Sequence, residues 1–96
     1  MLSLLEHCEG SCCWNPASSL SDGDAINGVG WPLKFASVEE CAQKCSATAQ
    51  CSGFHYYGPG DDYYQDCYIK KDVKSITADL ADGRGRFGGV CNIGKI

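Results

Sequence analysis

Eight cysteines in 96 residues constrain this chain more than any other feature. A domain this short buries a limited share of its surface, so an apolar core alone leaves it only thinly stable. Cross-links between cysteines supply what the core lacks. The count is even, which lets every cysteine pair. Disulfides persist in oxidising compartments, so the protein is expected to be secreted or extracellular.

The length corresponds to one domain, expected over residues 8–96. Residues 1–7 are expected to be a flexible N-terminal segment or a remnant of excision. Met1-Leu2-Ser3-Leu4-Leu5-Glu6-His7 has no basic n-region and its apolar run stops at Glu6, so it does not read as a signal peptide. The reading adopted is a module cut from a larger secreted protein and given a start Met. No stretch approaches the apolar length of a membrane helix. The net charge of −4, from 8 basic and 12 acidic residues, argues against a nucleic-acid partner. Asp22, Asp24, Asp61, Asp62, Asp66, Asp79 and Asp82 lie in turn-like contexts and read as solvated loop residues; the EF-hand pattern is absent.

Residues 8–36 are dense in turn formers (Asn15-Pro16, Ser18-Ser19, Ser21-Asp22-Gly23-Asp24, Asn27-Gly28, Gly30, Pro32) and read mostly as loop, with a short strand near Ala25-Ile26. One helix is clear. Ser37-Val38-Glu39-Glu40 is a capping box, and Glu39 to Thr48 contains no Gly or Pro. Val38, Cys41, Ala42, Cys45 and Ala49 make one apolar stripe, so both helix cysteines face inward. Phe54-His55-Tyr56-Tyr57 reads as a strand, Gly58-Pro59-Gly60-Asp61-Asp62 as a turn, and Asp66-Cys67-Tyr68-Ile69-Lys70 as the returning strand. On that strand Cys67 and Ile69 point one way, and Tyr68 and Lys70 the other. Gly83, Gly85, Gly88 and Gly89 loosen the C-terminal segment, in which Arg86-Phe87 and Val90-Cys91 make a last strand. The fold class is α+β, a single helix on a small twisted antiparallel sheet. Cys45 can reach Cys51 across the link that ends the helix, Cys41 can reach Cys67, and Cys91 can return to the N-terminal region.

Other uses of these residues are weak. A zinc site lacks a second close cysteine pair, a thioredoxin-like role lacks Cys-x-x-Cys, and an even count leaves no free thiol for catalysis. His7 sits at a loose terminus, and His55 on a strand reads as a half-exposed structural residue. No Gly-x-Ser-x-Gly elbow or phosphate loop is present, and Gly83-Arg84-Gly85-Arg86 is a basic turn. Neither catalysis nor a metal or other cofactor is expected.

The segments Ser37-Val38-Glu39-Glu40-Cys41-Ala42-Gln43-Lys44-Cys45, Cys51-Ser52-Gly53-Phe54-His55-Tyr56 and Cys67-Tyr68-Ile69-Lys70 resemble a PAN/apple domain. The resemblance covers about residues 12 to 92 and is nearest to the apple domains of apicomplexan microneme adhesins. It implies a disulfide-stapled sheet cradling one helix, with Cys41–Cys67, Cys45–Cys51 and a bond from the first frame cysteine to Cys91. The chain departs from that pattern by offering Cys8, Cys12 and Cys13 where one is needed. Adjacent cysteines rarely bond each other. The pairing chosen is Cys13–Cys91 with Cys8–Cys12; its exchange, Cys12–Cys91 with Cys8–Cys13, stays open.

The resemblance also implies binding to a cell-surface glycan or protein receptor. A sugar site needs an aromatic face and polar groups, and Tyr57, Asp61, Asp62, Tyr63, Tyr64 and Lys70 supply these around one hairpin. The plainer reading is that Tyr63 and Tyr64 cover a sheet edge and Lys70 is solvated. The other function class is a protein-interaction or spacer module beside neighbouring modules of the same chain, its acidic surface steering basic partners. Asn15, Asn27 and Asn92 all fail the N-glycosylation pattern.

Overall fold

The capping box forms and starts the helix. Ser37 is extended, its hydroxyl accepts from the Glu40 N–H at 3.3 Å, and the Glu40 carboxylate reaches back to the Ala36 N–H at 2.9 Å. The first contact satisfies an orphan donor of the first turn, and the second ties down the residue before the cap. The helix, α1, runs Val38–Ala47 and ends where Thr48 turns extended and donates its N–H to the Cys45 carbonyl. Cys41, Ala42 and Cys45 form its buried stripe. Ala49 falls beyond the cap and is exposed, so the stripe is one residue shorter than the spacing predicts.

A computed structural model describes residues 7–16, 18–20, 23–73, 76–78 and 85–92. Met1–Glu6, Ser21, Asp22, Asp79, Asp82, Gly83 and Arg84, on which some expectations fall, lie outside the described residues. The strands are β1 (His7–Glu9), β2 (Cys12–Pro16), β3 (Ser18–Leu20), β4 (Leu33–Lys34), β5 (Gly53–Tyr57), β6 (Asp66–Lys70), β7 (Ile76–Ala78) and β8 (Arg86–Cys91). Six make one antiparallel sheet in the order β1-β2-β8-β5-β6-β4; β3 and β7 pair separately. One helix on this sheet is the α+β architecture predicted from the sequence.

Alternation along each strand separates two faces. Cys12, Trp14, Phe54, Tyr56, Cys67, Ile69 and Cys91 point at the helix and are buried. Trp14 meets Phe54 edge-on, with ring centroids 5.9 Å apart. Gly89 sits opposite both in register, and a Cβ there would lie 2.4 Å from the Phe54 ring. This corrects the reading of Gly88 and Gly89 as loosening residues. They lie in the strand between β2 and β5, and at Gly89 the missing side chain lets two aromatic rings close over the backbone.

Two further expectations change. Residues 8–36 hold four strands, because pairing with β8, β6 and β7 overrides their turn-rich composition. Ala25-Ile26 is not a strand; Asp24 instead makes a single bridge to Lys71, and Ile26 packs in the core. His7, read as part of a loose terminus, is the first residue of β1.

Cys41 bonds Cys67 and Cys45 bonds Cys51. At the N-terminus the structure exchanges the chosen partners: Cys12 bonds Cys91 and Cys8 bonds Cys13, in place of Cys13–Cys91 and Cys8–Cys12. The cause is strand alternation. Cys12 faces the helix and stands opposite Cys91 in register, whereas Cys13 faces away and stands opposite Cys8. Cys12 and Cys91 are both fully buried.

Candidate binding face

The face of the sheet turned away from the helix carries the half-buried side chains of His55 and Tyr57 on β5 and Tyr68 and Lys70 on β6. Their rings join two exposed ones. Trp31 lies edge-on to Tyr68 at 5.5 Å, Tyr68 to Tyr57 at 6.0 Å, and Tyr57 to Tyr63 at 5.5 Å. The result is a continuous ridge of four aromatic side chains. Its two ends are the most open parts, with Trp31 40% and Tyr63 57% exposed. Contacts of this geometry add to burial and fix ring orientation.

Each end has its own support. β4 pairs with β6 only at Asp66 and Cys67, which leaves the Ile69 carbonyl on the open edge. The Trp31 indole N–H donates to that carbonyl at 3.0 Å. Lys70 lies over the Trp31 ring with its ammonium 5.6 Å from the centroid, a distance at which a cation is attracted to the ring face. At the other end the loop between β5 and β6 folds around Asp61. One carboxylate oxygen accepts from the Tyr63 N–H at 2.9 Å, and the other accepts from Arg86 Nε at 2.9 Å. The Arg86 guanidinium in turn lies 5.1 Å from the centre of the Tyr57 ring.

His55 sits beneath the ridge, with ring centroids 4.9 Å from Tyr57 and 5.2 Å from Tyr68. Its Nε2 is 2.8 Å from the Tyr57 hydroxyl, and its Nδ1 is buried with no hydrogen-bond partner. Burial, then the positive charges of Lys70 and Arg86, push its pKa down to about 4, with Asp61 acting the other way. His55 is therefore neutral at neutral pH. Burial likewise raises the phenols of Tyr57 and Tyr68 above the usual range, and Arg86 opposes the rise at Tyr57.

The residues proposed from sequence divide. Tyr57, Tyr63 and Lys70 belong to the ridge. Asp61 does not offer itself to a ligand: its side chain is 1% exposed and both oxygens are engaged, so its role is to hold the loop and Arg86. Asp62 and Tyr64 are exposed on the same loop. Tyr64 makes no ring contact with the ridge among the described residues; on the helix side burial raises the Tyr56 phenol, and Tyr64, Glu40 and Glu39 add to the rise. Trp31, Tyr68 and Arg86 were missed. In the sequence Tyr68 shows only that it faces away from the core, Trp31 stands among turn formers, and Arg86 lies in a basic turn.

Two acids near the ridge are already committed. Asp61 holds Arg86, and buried Asp66 is paired with Lys34. Among the described residues Lys70 has no carboxylate partner. On the helix side His7, Glu9 and Glu39 bring ligand-type atoms within 4.8 Å of one another, and His7 Nε2 is 2.9 Å from a Glu9 oxygen. All three are on the surface, and the geometry is that of an exposed His7–Glu9 hydrogen bond with a second carboxylate nearby. No helix among the described residues is long and apolar enough to cross a membrane.

A helix pinned by Cys41–Cys67 to an antiparallel sheet, with a ridge of partly open rings on the far face, defines a small disulfide-stapled α+β module. Residues 17–92 match the family model described as PAN domain, and the chain belongs to that family. PAN domains are modules for protein and carbohydrate interaction and not enzymes. No curated protein and no solved structure gives a significant match to the chain.

Proposed function

We propose that this PAN domain is an extracellular adhesion module, one unit of a larger secreted protein, that binds a host-cell carbohydrate along the Trp31–Tyr68–Tyr57–Tyr63 ridge. The observation that carries the reading is the ridge itself: four rings in contact, open at both ends, with a lysine uncommitted to any acid among the described residues. Pyranose rings present an apolar face that packs on aromatic side chains, while their hydroxyls need donors and acceptors such as Lys70 and the tyrosine hydroxyls. The four disulfides suit an oxidising, extracellular setting. The resemblance to microneme adhesin apple domains supports adhesion as the purpose.

A glycan array on the isolated domain tests this. Defined sugars should bind, and Trp31→Ala, Tyr63→Ala and Lys70→Ala should each weaken binding by about tenfold or more, as loss of a central contact does. Binding unaffected by all three substitutions would remove the ridge as the site. Silence on the array together with capture of a defined protein partner would favour the other reading, a protein-interaction or spacer module.

A further inference from the structure

The four disulfides are not equivalent. The cysteines of Cys12–Cys91, Cys41–Cys67 and Cys45–Cys51 are between 0% and 2% exposed. Cys8 is exposed and Cys13 half-buried. Their bond joins directly opposed residues of β1 and β2 on the outer face, at the edge of the sheet away from β6 and β4. Both of its cysteines also lie outside the segment that matches the PAN family. We propose that Cys8–Cys13 is a thiol–disulfide exchange site, open to a dithiol reductant of the thioredoxin class, while the other three bonds keep the domain folded.

Exchange requires a thiolate to approach a sulfur in line with the bond it breaks, so access decides which disulfide reacts. The reductant's thiolate attacks Cys8 Sγ. The S–S bond breaks, and its electron pair leaves on Cys13 Sγ, which takes a proton from water. The second thiol of the reductant then attacks the mixed disulfide and releases Cys8. In balance, two electrons and two protons pass from the dithiol to the pair, and the reductant leaves as its own disulfide.

Strand alternation insulates the site. The thiol freed at Cys13 points away from the helix, whereas its neighbour Cys12 points into the core, where its sulfur contacts the Ala42 carbonyl at 3.3 Å. Cys13 therefore cannot turn onto Cys12–Cys91 and scramble the frame, and the clip can reclose with its original partner. What opening releases is β1, three exposed residues on the sheet edge. A strand this short is poorly held by backbone pairing alone. Its departure leaves β2 as the edge and uncovers Trp14, against which the His7 ring now lies at 4.9 Å.

The experiment treats the intact domain under native conditions with a thioredoxin-class dithiol protein, quenches samples with an alkylating agent over time, and maps labelled cysteines by peptide mass. Cys8 and Cys13 should be labelled at least about tenfold faster than the other six. Labelling of another pair first, of all eight together, or of none would overturn the proposal. The Cys8→Ser/Cys13→Ser double variant should still unfold cooperatively as a folded domain and show no early labelling. Loss of folding in that variant would mean the bond is structural, and would equally overturn it.

Discussion

Replacing Asp61 by alanine removes two bonds that hold the hairpin loop against the sheet. The first is the charge-assisted contact with Arg86 Nε, and the second is the acceptor for the Tyr63 N–H. Contacts to a buried carboxylate contribute about 1.5–3 kcal/mol each at the favourable end, and ordinary hydrogen bonds about 1 kcal/mol. The Asp61 side chain is 1% exposed, but that of Arg86 is 27% exposed, so water recovers part of the lost interaction. The expected cost is about 2 kcal/mol. For a domain of this size that lowers the midpoint of thermal unfolding by roughly 8–16 °C. Asp61→Asn keeps an acceptor for the Tyr63 N–H and loses the ion pair, so it should fall between wild type and Asp61→Ala. Arg86→Ala takes this cation away from a buried carboxylate and should cost about as much as Asp61→Ala. The assay is thermal unfolding by circular dichroism at neutral pH without reductant, on both single variants and the double. An Asp61→Ala cost below about 0.5 kcal/mol, the range of an ordinary surface change, would refute the reasoning. So would a double variant whose cost is the simple sum of the two, since that would mean no coupling between the partners.

Gly89→Ala drives a methyl group into the Phe54 ring, where the nearest atoms would be 2.4 Å away; it should destabilise by about 1–3 kcal/mol, measured by denaturant unfolding. His55 gives a pH dependence of definite sign. Its folded pKa, about 4, lies below the unfolded value of 6.5, so the unfolded chain binds the extra proton between these limits. Stability should be full above about pH 6.5 and fall towards pH 4 by on the order of 3 kcal/mol, with His55→Gln lacking this part of the slope. From chain entropy, removing Cys12–Cys91, with a sequence separation of 79, should cost about 4.5 kcal/mol, and removing Cys8–Cys13, with a separation of 5, about 2 kcal/mol. Paired serine variants compared by unfolding under non-reducing conditions test the order.

What could be read from the sequence was local. The capping box, the stripe Val38-Cys41-Ala42-Cys45 and the alternation of Phe54-His55-Tyr56-Tyr57 and Cys67-Tyr68-Ile69-Lys70 each depend on residues a turn or two apart, and each element lies where the pattern places it. The N-terminal strands were hidden because β2 owes its extended form to β8, some seventy residues away in sequence, and its own Asn15-Pro16 argues for a turn. The exchanged cysteines follow from that omission. Once Cys12-Cys13-Trp14 is a strand, Cys12 and Trp14 share the core face and Cys13 cannot join Cys91. The ridge was half visible for the same reason. Tyr57, Tyr63 and Lys70 surround one hairpin, whereas Trp31 and Arg86 arrive from distant segments and meet it only through tertiary pairing.

The division between the two faces explains how so small a domain can hold both a fold and a site. On the helix side three buried disulfides, Phe54, Tyr56, Ile69 and Trp14 carry the stability. The outer face is left with rings that are only partly covered and with two cations that lie against them, Lys70 over Trp31 and Arg86 over Tyr57. Asp61 is the point where the two requirements meet: it is as buried as a core residue, yet what it positions, Arg86 over Tyr57 and the backbone of Tyr63, belongs to the ridge. A substitution at Asp61 should therefore disturb stability and binding together. One at Tyr63, which contributes an exposed ring and no described side-chain hydrogen bond, should disturb binding alone.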